Sequence, residues 1–99
     1  MSGLVRGFGA LAVTPHHHST AAALEILALG GNAVDAAIAA NAVQGVVAPE
    51  TCGVGGDLFA LVHEPGSGRP AALNASGPAG SNVDPDALAI AEGEMPYYG

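Results

Sequence analysis

Apolar residues dominate the chain from Thr20 to Val47, broken at Gly30-Gly31-Asn32, and then give way to short apolar runs separated by Gly and Pro. That pattern predicts a pair of helices followed by a β-hairpin. A first strand is predicted earlier, at 8–14 (FGALAVT), stopped by Pro15. His16, His17 and His18 read as a loop. Ser19 or Thr20 is expected to cap a helix over 20–29, because a hydroxyl there accepts a bond from an otherwise orphan amide. Gly30-Gly31 should end it, since a positive φ costs Gly nothing. Asn32 and Asp35 have the spacing of a capping box, which opens the second helix, and Pro49 closes it. Val34, Ile38, Ala42 and Gly45 fall along one face, with Ala33, Ala37 and Asn41 along the next. The two helices make an αα-hairpin.

After the Gly-rich turn Cys52–Asp57 (CGVGGD), strands are predicted at 58–63 and 70–74 around the turn Pro65–Gly68. Asp84 should cap a short helix with Pro85 in its first position and Gly93 as its stop. The first helix carries a single charge, Glu25, and the second is nearly as apolar. A helix that is hydrophobic all round belongs inside something larger. A chain of 99 residues buries too little surface to cover both helices and a hairpin. The sequence is therefore expected to be incomplete, residues 1–99 being part of a single α+β domain.

Charge and cysteine content narrow the function classes. There are nine acids against Arg6 and Arg69, with no Lys. No basic stripe exists to replace the counterions of a nucleic acid, and an anionic membrane surface is disfavoured for the same reason. The longest apolar run contains Asp35, Asn41 and Gln44, so no membrane span is expected. The stretch before Thr14 is interrupted by Gly7 and Gly9 and reads as a strand entry, not a signal peptide, which favours a cytoplasmic location. Cys52 is alone, without an internal disulfide partner or a base tied to it by spacing, and is expected to be a small buried thiol. The His run is expected to satisfy local backbone groups, because successive side chains diverge and no Asp, Glu or Cys sits at ligand spacing. No metal and no cofactor is expected. The Gly run precedes a strand and lacks the third Gly of a dinucleotide loop, so it is expected to mark close backbone packing.

From Thr20 to Phe59 the chain resembles the γ-glutamyltranspeptidase family without a gap. The residues that carry the likeness are Leu24-Glu25-Ile26-Leu27, Gly30-Gly31-Asn32-Ala33-Val34-Asp35-Ala36-Ala37, Gly45-Val46-Val47-x-Pro49 and Cys52-Gly53-Val54-Gly55-Gly56-x-x-Phe59. With the following hairpin and Asn74-Ala75-Ser76-Gly77, it covers most of the chain. The resemblance implies the N-terminal part of the large subunit of an N-terminal nucleophile hydrolase with an αββα sandwich. It implies a zymogen that cuts itself into two subunits, the new N-terminal Thr of the small subunit becoming the nucleophile. A γ-glutamyl group from a glutathione-type donor is then held as an acyl-enzyme and passed to water, an amino acid or a peptide. In that picture the partner of this chain is the remainder of its own precursor.

The nucleophile of the family lies far downstream, so no catalytic residue is expected here, and Thr14, Thr20 and Thr51 are not candidates. This part is expected to be scaffold and inert alone. One position departs from the family. Many members carry, after the second hairpin strand, an Arg that clamps the α-carboxylate of the substrate. The matching place is Ser76, in Leu73-Asn74-Ala75-Ser76-Gly77-Pro78, and Pro78 follows Gly77 directly where some relatives have Arg-Ala-Pro. Ser76 is the one substrate-binding candidate. Two alternatives stand beside the γ-glutamyl reading. One is the same fold and nucleophile with another acyl donor, such as an acylated β-lactam or a poly-γ-glutamate. The other is a non-enzymatic helical-hairpin interaction module.

Overall fold

The computed structural model describes residues 4–84 and 86. The chain divides into two units, Met1–Gly56 and Asp57–Gly99. The first contains helices α1 (His17–Ala28) and α2 (Ala33–Val47), and the second contains strands β1 (Leu58–Val62) and β2 (Ala71–Ala75). Together they form an α+β arrangement of two helices and a two-stranded antiparallel sheet.

Helix α1 starts earlier than predicted, and His16 caps it. The His16 Nδ1 accepts the N–H of His18 at 3.2 Å, with His16 itself extended. Ser19 and Thr20 do not cap because tertiary partners take their hydroxyls. Ser19 lies fully buried inside the first turn, and Thr20 bonds the hydroxyl of Thr14 at 2.7 Å. At the other end the two glycines divide the work. The N–H of Gly31 bonds the carbonyl of Ile26 at 2.9 Å and that of Gly30 bonds Leu27 at 3.2 Å, the crossed pair of a Schellman turn. Gly30 supplies the positive φ of 93°. Gly31 supplies space, since a Cβ there would lie 2.5 Å from Ile26 Cγ2.

Helix α2 opens on the predicted capping box. Asn32 Oδ1 accepts from the amides of Val34 and Asp35 at 2.8 and 3.0 Å, and Asp35 Oδ2 accepts the Asn32 amide at 2.9 Å. The helix ends before Pro49, as expected. Its packed face is Ala36, Ala40 and Gln44, four residues apart, and neither of the two rows expected from the pattern. Facing it are Ser19 and Ala23 of α1, with Ile26, Leu27 and Ala12 at the margin. Small side chains let the helices approach closely, and the larger apolar groups point elsewhere.

Residues 8–14 form no strand. Leu11 and Val13 are exposed while Ala12 and Thr14 are half-buried, so the alternation is strand-like, but a ladder needs a second backbone, and among the described residues none pairs with this one. In the second unit the hairpin register pairs Leu58 with Ala75 and Val62 with Ala71. Both strands differ by one residue from expectation. Pro70, which would face His63, has no N–H to donate, so the ladder stops between them. Ser67 closes the turn, its amide and hydroxyl both donating to the carbonyl of Glu64 at 3.0 and 2.7 Å. The helix expected after Asp84 lies outside the described residues. Among these, no helix is long and apolar enough to cross a membrane.

Large apolar side chains remain in water: Leu29 is 79 % exposed, Leu61 76 %, Ile38 65 % and Phe59 64 %. Uncovered apolar surface on that scale drives association. The purified chain should bind a hydrophobic dye and change sedimentation behaviour with concentration. A dye-silent monomer across the concentration range would contradict this.

Candidate functional site

Ser76 sits one residue past the end of β2, exposed. Its amide donates to the Oδ1 of Asn74 at 3.3 Å, and Gly77 follows at a φ of 70°. The chain therefore turns sharply out of the strand, with the polar side chain of Ser76 at the bend. Ser76 lies one residue beyond the last ladder pair, Ala75 with Leu58. Its short neutral hydroxyl offers an incoming carboxylate no charge to pair with.

In the first unit, a groove of about 720 Å³ runs between residues 9–15 and the two helices. It exists because Ala23, Ala36, Ala37 and Ala40 are too small to fill the space beneath the extended segment. Three of its polar side chains, Thr14, Ser19 and Gln44, belong to two chains of hydrogen bonds, and Asn41 lines it as well. In the first, Ser19 Oγ donates to Gln44 Oε1 at 2.8 Å, Gln44 Nε2 donates to Thr51 Oγ1 at 3.2 Å, and Thr51 donates to the carbonyl of Ala48 at 2.8 Å. In the second, Thr14 donates to the carbonyl of His16 at 2.8 Å. A hydroxyl has one proton, so Thr20 must be the donor to Thr14. Every hydroxyl proton in these two chains is thus committed to a neighbour. Sequence reasoning passed over this network. Its only signal was a Gln at the position where a helix otherwise lined by Ala turns inward.

The His run differs from expectation in two respects. It caps and begins α1 instead of forming a loop, and its rings do not diverge: their centroids lie 4.5 Å apart for His16 and His17, 5.2 Å for His16 and His18, and 4.0 Å for His17 and His18. Extended His16 folds its ring back over the first turn to reach the His18 amide, and this brings the three together. His18 above all, then desolvation and His16, hold His17 below its ordinary value of 6.5. Among the described residues no group of three His, Cys, Asp or Glu side chains is placed to hold a metal. Cys52 is half-buried, its thiol directed at the carbonyl of Asn41 at 3.9 Å, a weak contact. The glycines of the CGVGGD turn do not show the expected close packing. A Cβ on Gly53 or Gly55 would meet nothing within 4 Å, and on Gly56 only the Gly53 carbonyl at 3.7 Å.

The sequence profile described as Gamma-glutamyltranspeptidase matches residues 19–99, which include α1 from Ser19 onward, all of α2, the Gly-rich turn, the hairpin and Ser76. The chain belongs to the gamma-glutamyltranspeptidase family. It is 47% identical over 79 residues to the oxamate amidohydrolase proenzyme of Klebsiella pneumoniae, covering 80% of this chain and 15% of that protein. It is 40% identical over 86 residues to the glutathione hydrolase-like YwrD proenzyme of Bacillus subtilis, covering 87% of this chain and 16% of the relative. A shorter match, 44% identical over 52 residues, joins it to glutathione hydrolase 7 of Mus musculus, with 52% of this chain and 8% of the relative covered. The chain thus spans about 15% of the length of the first two relatives. Within this gamma-glutamyltranspeptidase member, the matched region holds the Schellman turn and the capping box. These two local devices fix where the helices of the hairpin end and begin.

Proposed function

We propose that this chain is the N-terminal portion of the large subunit of a self-cleaving amide-bond enzyme that hydrolyses or transfers γ-glutamyl groups. The observation that carries the reading is the family match over residues 19–99, with two relatives named as proenzymes. The helical hairpin and the β-hairpin are scaffold, forming part of an αββα sandwich completed by the rest of the precursor. The nucleophile is the Thr exposed by cleavage. Its α-amine takes the hydroxyl proton as the oxygen attacks the donor carbonyl, the proton passes to the leaving amine, and an acyl-enzyme remains. Water or an acceptor amine then releases the acyl group. No residue of this chain takes part in those steps, and Ser76 lies where the α-carboxylate of the donor would be read.

A second reading keeps the fold and the nucleophile and changes the donor. The 47% identity to an oxamate amidohydrolase proenzyme favours it, and Ser76 fits it, standing at the place where the family resemblance implies a carboxylate-binding Arg in many members. A small amide without a γ-glutamyl arm needs no such clamp.

Both readings predict that the chain alone is catalytically silent. Purified chain and a precursor carrying it ahead of the Thr segment would be assayed in parallel for self-cleavage, for release of aniline from a γ-glutamyl anilide, and for ammonia from oxamate. Cleavage with aniline release supports the first reading, and cleavage with ammonia release alone supports the second. A precursor that never cleaves, or turnover that follows the isolated chain through purification, overturns the proposal.

A further inference from the structure

We propose that His16, His17 and His18 form a pH-sensitive cap on α1, closing the helix when the imidazoles are neutral and opening its first turn when they are protonated. The cap bond has a strict chemical requirement. The Nδ1 of His16 accepts the amide of His18 at 3.2 Å, and only an unprotonated ring nitrogen has a lone pair to do so. Protonation turns that acceptor into a donor facing another donor. The helix end makes matters worse, because its unpaired amides carry partial positive charge and repel cations. No acidic residue sits in the first turn to offset this, and ring centroids 4.0 to 5.2 Å apart leave any two imidazolium ions close together.

The turn controlled by this cap is a junction. The carbonyl of His16 accepts the Thr20 amide at 3.1 Å and the Thr14 hydroxyl at 2.8 Å. One step along, Ser19 holds Gln44 of α2. Opening the first turn therefore loosens both the extended segment and the packing of α1 on α2. Charged groups on the surrounding elements are few. Residues 9–15 carry none. Glu25 lies more than two turns along α1. Asp35 of α2 is engaged at the far end of the hairpin by the Asn32 amide. Glu50 and the Cys52 thiol follow α2, and Arg6 precedes the segment. The influences felt by His17 come from His18, desolvation and His16.

The sign follows from the bond itself: an Nδ1 that has taken up a proton has no lone pair for the His18 amide, so the cap is present while His16 is neutral and is lost as acid protonates the ring. The cap should therefore hold at neutral pH and fail in mild acid.

Amide exchange of the chain, corrected for intrinsic rates, tests this. Between about pH 7.5 and about pH 5, protection of the His18 and Thr20 amides should fall roughly five- to tenfold, the scale of losing an N-cap. The amides of Ala36 and Ala40 in α2 serve as reference and should change less. His16→Asn, which keeps a cap acceptor at every pH, should flatten the step. Protection independent of pH, equal loss in α1 and α2, or a full step in His16→Asn would each overturn the proposal. So would absence of protection at neutral pH, since the cap would then hold nothing. If the variant fails to fold, the comparison of α1 with α2 in the wild type decides.

Discussion

If the chain serves the γ-glutamyl enzyme proposed above, replacing Ser76 with Arg is expected to raise that enzyme's preference for donors that carry an α-carboxylate. Arg presents a planar fork and a permanent charge and can hold a carboxylate by two parallel bonds. Ser presents one short hydroxyl and no charge, here at the bend where the chain leaves β2. A charge-assisted bond of this kind is worth on the order of 1.5–3 kcal/mol, so the variant should gain roughly tenfold to more than a hundredfold in discrimination. The measurement is kcat/KM for a γ-glutamyl anilide against its des-carboxy analogue, in wild type and in Ser76→Arg. The wild-type ratio should be small and the variant ratio large. A wild-type ratio of about a thousandfold or more, above what one such bond supplies, would place the clamp elsewhere in the precursor.

The second large effect concerns the helical hairpin. Gln44→Leu conserves volume but strands the hydroxyl of Ser19, which is 0% exposed and has Gln44 Oε1 as its acceptor. Leaving such a group unsatisfied costs about 1–3 kcal/mol, whereas removing both partners is nearly neutral. Urea unfolding followed by helical circular dichroism should therefore show a marked loss in Gln44→Leu. Ser19→Ala/Gln44→Leu should recover most of it. Equal losses in the single and double variants would mean that the polar chain contributes only packing.

What the sequence made legible was local. The Asn32–Asp35 capping box, the Gly30-Gly31 stop and the hairpin all depend on residues within a few positions of one another, and each was found within a residue. The start of α1 was misread because a capping hydroxyl and a tertiary hydroxyl look identical in sequence. Ser19 and Thr20 are spent on Gln44 and Thr14, which no local rule reveals. Residues 8–14 alternate like a strand, but strand formation depends on a partner. The packed face of α2 is neither row that periodicity offers, because small Ala36 and Ala40 with Gln44 pack on α1 while Val34 and Ile38 stay exposed. Of the candidate site, the position of Ser76 at the end of the hairpin was legible. The bond from its amide to Asn74 and the turn at Gly77 became visible only in the fold.

Pro70 gives the hairpin register a mechanical meaning. A slip of one residue that brings Pro70 opposite Val62 would carry a residue without an N–H into the ladder, and a slip either way would turn each β2 side chain to the opposite face. Pro70 thus opposes sliding in the first direction and the change of face opposes both, so the chain between Pro70 and Ser76 works as a gauge of fixed length. Wherever β1 is anchored, Ser76 is delivered to the same place beside it. Inserting or deleting a residue within that gauge would move the bend along β1 while leaving the sequence around Ser76 untouched.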